Sequence, residues 1–230
     1  MGMRNRQQEQ RDTRLLRRAS STQGFSIIEM MLVVAILMIV SAFAVLNTQS
    51  GLRDARVNGA FDTAFMQLRM ARERAIAERK RYVVTFGTPA PALSATPLGA
   101  PNAKSIQLYI WNAASGAPTQ VSTVDLPSDV DFQTISGLPA SPSSVPDGFG
   151  TGSTARDFDQ GVPPGAGNLV MFMPDGSAHD LVGNSNSGIL YLARTGDLAS
   201  SRAITVFGTS GRIRGWRLTL PGGAPTWKQQ

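Results

Sequence analysis

Glu29 is the only charged side chain in an apolar stretch that runs from Phe25 to Leu46. A carboxylate there is costly to hold in lipid unless something pairs with it, so its presence asks for a function. A second chemical grouping lies near the C-terminus, in Gly211-Arg212-Ile213-Arg214-Gly215-Trp216-Arg217. Alternate residues of a strand face one side, so Arg212 and Arg214 can present their guanidinium groups together to phosphates. In a regular strand Trp216 joins that face and can stack on an unpaired base. A bulge at Gly215 instead turns Trp216 inward and brings Arg217 to the basic face. The same alternation also describes an ordinary edge strand whose solvated charges discourage aggregation.

Other groupings carry less chemistry. The chain has no cysteine and one histidine, His179, which leaves no thiolate site and little material for a histidine metal site. His179 lies beside Asp180 and near Ser177, but just after a turn, where an exposed residue is the simpler reading. Asp125, Asp129 and Asp131 lack the spacing and glycine of a calcium loop. No P-loop, GxGxxG or HExxH motif occurs, so neither a cofactor nor an enzymatic activity is expected.

Charge is unevenly placed along the 230 residues, whose formal net charge is +6. Residues 1–24 hold six arginines against Glu9 and Asp12, so most of the basicity belongs to a polar leader. Residues 82–193 carry eight acidic and two basic side chains, and residues 194–230 carry six basic side chains against Asp197. A basic C-terminal end therefore follows an acidic body.

The elements that position these groups follow from periodicity. The apolar stretch 25–46 spans about 33 Å as a helix, enough for a hydrocarbon core. Basic residues before it and few after it orient the N-terminus toward the cytoplasm. Val57, Phe61, Ala64, Phe65, Leu68, Ala71 and Ala75 then recur at helical spacing, which predicts an amphipathic continuation over 47–81 with a weak point at Gly51. Arg53, Asp54, Asp62, Arg69, Arg72, Glu73 and Arg79 take the other face.

From residue 82 the pattern becomes short β signals. Strands are predicted over 81–86, 105–111, 120–126, 129–135, 188–194, 201–208 and 211–220, with a hairpin over 168–182 turning at Pro174-Asp175-Gly176. Short strands with tight turns imply antiparallel sheets. Two Pro- and Gly-rich connections, 87–104 and 136–168, show no periodicity. The expected class is α+β: a long N-terminal helix, membrane-spanning in its first half, packed on an antiparallel β domain over 82–230.

Residues 1–46 admit three readings. A signal anchor, or a signal peptide cut after Ala42-Phe43-Ala44, leaves Glu29 unexplained. The third accounts for it. The run Gly24-Phe25-Ser26-Ile27-Ile28-Glu29-Met30-Met31 resembles the N-terminus of type IV pilins and type II secretion pseudopilins. That resemblance implies cleavage by prepilin peptidase between Gly24 and Phe25 and N-methylation of Phe25. It also implies pairing of Glu29 with the amine of a neighbouring subunit, and assembly with other pilins or pseudopilins from the inner membrane. The implied protein is single-pass, with its C-terminal domain periplasmic before it enters a filament.

Residues 69–86, 170–178 and 211–218 are similar to the FimT/GspH-type minor pilins and pseudopilins. In the FimT branch a Gly-Arg-x-Arg sequence is implicated in DNA binding during transformation. Gly211, Arg212, Ile213 and Arg214 match it, so the resemblance implies a pilus subunit with DNA as a further partner. The alternative is a GspH-type pseudopilin of a type II secretion system, with these arginines purely structural.

Overall fold

The computed structural model describes residues 24–87, 103–112, 118–152, 154–160 and 167–230, with the side chains of 44–50 and 159–160 outside the described set. Residues 1–23 of the expected leader 1–24 and residues 88–102 of the first Pro-rich connection lie outside it. Helical residues run Ile27–Glu78 (α1), and the boundary between two compact units falls between Ser50 and Gly51.

In the first unit, each described side chain from 24 to 43 is exposed, including Ile27, Leu32, Ile36 and Phe43. No helix among the described residues is long and apolar enough to cross a membrane. The described side chains of α1's apolar part stop at 43, although the sequence carries the apolar stretch on to Leu46.

The second unit is built around the stripe read from helical spacing. Val57, Ala60, Phe61, Ala64, Leu68, Ala71 and Ala75 are buried, and Phe65 packs beside them. Each large side chain buried there contributes about 1.5–3 kcal/mol, and the alanines keep the helix surface low enough for strands to approach. The helix stops where Arg79 turns left-handed, at φ 51°, one residue past Glu78. The basic run 79–81 therefore lies beyond the last helical turn.

Two antiparallel sheets pack on that helix. The first has the order β3-β2-β1-β6-β7, from Arg81–Phe86 (β1), Ser105–Trp111 (β2), Pro118–Asp125 (β3), Leu169–Phe172 (β6) and Ala178–His179 (β7). The second has the order β11-β10-β9-β8-β4, from Val130–Asp131 (β4), Ser187–Arg194 (β8), Asp197–Val206 (β9), Ile213–Thr219 (β10) and Thr226–Gln229 (β11). Arg156–Gln160 (β5) pairs with β8 beside β4. Tyr82, Val84 and Phe86 of β1 join Leu190 and Leu192 of β8 and Ile204 and Val206 of β9 in one core with the helix. Alternation sends Val83 and Tyr109 to a cluster on the back of the first sheet, and Ile189, Tyr191 and Ala203 to one on the back of the second.

The α+β class with antiparallel sheets matches the reading of the sequence. Three local features differ from that reading or add to it. The strand expected over 129–135 shrinks to Val130–Asp131, because Asp131 turns its carboxylate onto the amide of Phe132 at 2.9 Å and a turn follows. The segment 136–168, which shows no periodicity in sequence, contains β5 and a 3-10 turn at Pro146–Gly148 where it is described. The C-terminal strand β11 has no counterpart among the predicted elements.

Candidate functional site

Two sites were expected, one in each unit. At the first, Gly24, Phe25 and Ser26 precede the helix, and the amide of Met30 donates to the Ser26 carbonyl at 3.1 Å. Gly24 is exposed with nothing within 4 Å of the position a Cβ would take, and Phe25 is 73% exposed. Both residues flanking the Gly24–Phe25 peptide bond are thus exposed. Glu29 lies in the first turn of α1, where a carboxylate suits the helix N-terminus. It has no hydrogen-bond or ion-pair partner among the described residues. An apolar helical surface of this extent needs lipid or protein to cover it, and Glu29 goes wherever that surface goes.

At the second site, β10 pairs with β9 and β11 without a register shift, so Gly215 makes no bulge. A Cβ on Gly215 would stand 2.5 Å from Cζ of Phe61, which puts Ile213, Gly215 and Arg217 on the helix side. Arg214 and Trp216 share the opposite face, as the regular-strand reading expects, and Arg217 is on the other.

That opposite face is covered. The segment around the 3-10 turn brings Asp147 over it, and an Asp147 oxygen forms an ion pair with Nη1 of Arg214. The other Asp147 oxygen accepts the Thr205 hydroxyl at 2.5 Å, and Thr205 Oγ1 accepts Nε1–H of Trp216 at 3.1 Å. Leu138 and Phe149 pack with Trp216 on the cluster of Tyr191, Leu218 and Trp227. The side chain of Asp147 is only 6% exposed and that of Arg214 23%. Asp147 is left-handed at φ 51°, a conformation that aspartate tolerates better than most residues.

Arg212 precedes the strand and is exposed. Its guanidinium lies 6.0 Å from the ring centre of Phe207, and that of Arg214 lies 5.3 Å from the same ring. The two arginines are thus brought together, with Arg212 outermost. Arg212 borders a groove of about 580 Å³ with Arg69, Arg72, Glu73, Ser210, Gly211 and Ile213. Arg72 spends its donors locally, Nε on the Gly176 carbonyl and Nη2 on the Ser210 carbonyl, both at 3.1 Å. Arg69 stacks over Phe65 at 4.3 Å. Helical spacing placed Arg69 and Arg72 on the polar face, but nothing local signalled that this face meets the turn before β10.

The Ser177, His179 and Asp180 grouping resolves into turn chemistry. Ser177 donates its hydroxyl to Asp175 at 2.5 Å, while its oxygen stands 2.9 Å from Nε2 of His179. Nδ1–H of His179 donates to the Gly183 carbonyl at 2.8 Å. A serine proton directed at a carboxylate rather than at the imidazole is the reverse of an activated nucleophile. Hydrogen bonds from Ser177 hold the Asp175 carboxyl below its ordinary range. Amides 182–184 bond the Asp180 carboxylate and lower it in spite of its burial.

The role of Asp147 as a clasp is measurable. Asp147→Asn keeps a residue that accepts the left-handed conformation but removes the charge facing Arg214. It is expected to destabilise the β domain by about 1–3 kcal/mol, the cost of stripping a partner from a largely buried group. The denaturant midpoint should fall with an unchanged m value.

Residues 20–45 match the model of the prokaryotic N-terminal methylation motif. No curated protein and no solved structure matches the chain. The matched segment spans the Gly24–Phe25 junction, Glu29 and most of the apolar stretch. It stops short of the β domain.

Proposed function

We propose that this chain is a non-enzymatic minor pilin or pseudopilin. In this reading prepilin peptidase cuts it between Gly24 and Phe25 and methylates Phe25. It then waits in the inner membrane with its N-terminus cytoplasmic, and enters a filament of related subunits through α1. The observation that carries the reading is one coincidence of features. The methylation motif falls on residues 20–45, where the Gly24–Phe25 bond is exposed and Glu29, with no partner among the described residues, heads an exposed apolar helix. The α+β domain behind that helix is consistent with a pilin-like subunit. The test is Glu29→Ala, which should be cleaved like the parent chain and yet fail to assemble.

Within that class we favour a FimT-type pilus subunit that touches DNA through Arg212, with Arg214 behind it on the Phe207 ring. Gel-shift titration of a fragment from residue 52 with a duplex tests this. Replacing Arg212 and Arg214 by alanine is expected to lower the salt slope by about 0.9 for each phosphate no longer neutralised. Unchanged affinity and slope would remove both residues from a DNA site. The GspH-type reading is favoured by a different observation: Asp147 holds Arg214 and Thr205 holds Trp216, so two of the four expected contact residues already have partners.

A further inference from the structure

The second sheet carries a feature that neither a processing signal nor a DNA contact uses. Its register sets Arg202 of β9 directly opposite Arg217 of β10, and Arg217 directly opposite Lys228 of β11. Directly opposed residues share a face, so three cations form one row, spaced by about 4.8 Å from strand to strand. The row is on the helix side, because Nη2 of Arg202 donates to Oδ1 of Asn58 on α1 at 2.9 Å.

Like charges placed directly opposite one another destabilise a sheet. Here the cost is compounded by burial. Arg202 is 1% exposed, its Nη1 donates to the carbonyls of Ala199 and Ser201, and its Nε has no partner among the described residues. Burial first, and then the charge of Arg217, push its guanidinium down to about 10, so it remains charged at neutral pH. Asp54 and Asp197 offset part of this from beyond ion-pair distance. Arg217 and Lys228 are exposed, with no hydrogen-bond or ion-pair partner among the described residues.

Protection of a sheet edge accounts for Lys228, because one lysine on an edge strand suffices. It does not account for a buried arginine behind an exposed one. Local rules broken with only partial internal compensation mark places where something else supplies the rest.

We propose that the Arg202–Arg217–Lys228 row is a docking surface for an acidic protein segment, supplied by a neighbouring subunit. That choice of partner rests on the chain being a filament subunit. Arg217 and Lys228 make the contact, and Arg202 raises the local potential from behind. Two observations select a protein as the occupant. β11 ends its sheet, so main-chain donors and acceptors along its outer side adjoin the row, and a partner peptide can use them. The pitch of the row also matches carboxylates on adjacent strands, or at successive turns of a helix about 5–6 Å apart. The chemistry of the partner follows from charge complementarity: two exposed cations with no partner among the described residues are met by carboxylates.

The full-length chain in detergent micelles is titrated with fluorescent poly-L-glutamate, and separately with a labelled duplex. The double variant Arg217→Glu/Lys228→Glu alters two exposed side chains and removes the like charge facing Arg202, so its thermal midpoint should not fall below the parent's. Its polyglutamate affinity is expected to fall tenfold or more, while an Arg53→Glu control stays within twofold of the parent. Duplex affinity should be unchanged. Equal polyglutamate binding by parent and double variant overturns the proposal. So does a parallel loss of duplex binding, which makes the row a nucleic-acid contact. A photo-crosslinker at position 228 in filament-bearing cells should trap a subunit with its own N-terminal methylation motif, and a trapped protein without one overturns the named partner. Cleavage at Gly24–Phe25 and the behaviour of Glu29→Ala report on the assembly reading separately, because neither involves the row.

Discussion

Glu29→Ala is expected to be cut between Gly24 and Phe25 like the parent chain, and to enter filaments at a tenth of the parent level or less. The cleaved bond is four residues away from the altered side chain and exposed, so the peptidase meets the same substrate. Assembly is different. A lone carboxylate at membrane depth costs about 2.5–3.5 kcal/mol on insertion scales, and that cost disappears if a neighbour's new amine lies at the same depth. Removing one member of a buried ion pair costs about 3–5 kcal/mol, since the other charge is left alone. Alanine also relieves the subunit of its own carboxylate before assembly, which reduces the net effect below that full figure. Glu29→Gln separates charge from shape: it retains the side-chain volume and should assemble as poorly as alanine. Immunoblots of sheared filaments and of membranes give the two readouts. Normal filament content for either variant would end the assembly role of Glu29.

The features legible in the sequence share one property: the responsible residues are near one another in the chain. The stripe from Val57 to Ala75 repeats at helical spacing, and its members are buried, apart from Phe65, which is half-buried beside them. The strands β1, β2, β6, β8 and β10 declare themselves by runs of branched and aromatic residues. What escaped was set by pairing at long range. Among the described side chains β5 presents only Phe158 to the core and β11 only Trp227, so neither shows a period to detect; each is a strand because β8 or β10 offers it an edge. The C-terminal site was half legible. Alternation correctly placed Arg214 and Trp216 on one face once Gly215 proved unbulged. It carried no information on what covers that face, because Asp147 arrives from 67 residues away. The charge row escaped for the same reason: Arg202, Arg217 and Lys228 are neighbours only through strand register.

Gly211→Ala is expected to destabilise the β domain by about 3 kcal/mol or more, through left-handed strain and the loss of charged hydrogen bonds. Gly211 sits at φ 57°, and a Cβ there would stand 1.8 Å from the carbonyl oxygen of Gly176 and 3.0 Å from Nε of Arg72. Backbone, not a flexible side-chain tip, occupies the space. One of the two turns must therefore move, and Arg72, which bonds Gly176 and Ser210 together, must release at least one of them. For a domain of this size each kcal/mol lowers the thermal midpoint by about 2–4 °C, which predicts a fall of about 6–12 °C or more. Gly183→Ala is the control. Its φ is 100°, but nothing lies within 4 Å of the new methyl, so it carries the conformational strain alone. If both variants lose the same stability, the close approach at Gly211 costs nothing and the junction is looser than its geometry implies. If Gly211→Ala loses much more, the glycine of the Gly-Arg-x-Arg sequence is required by the fold. Its presence then carries no weight as a sign of DNA binding, and the functional argument rests on Arg212. A loss of duplex binding in Gly211→Ala accordingly counts as a contact effect only at temperatures where the variant is fully folded.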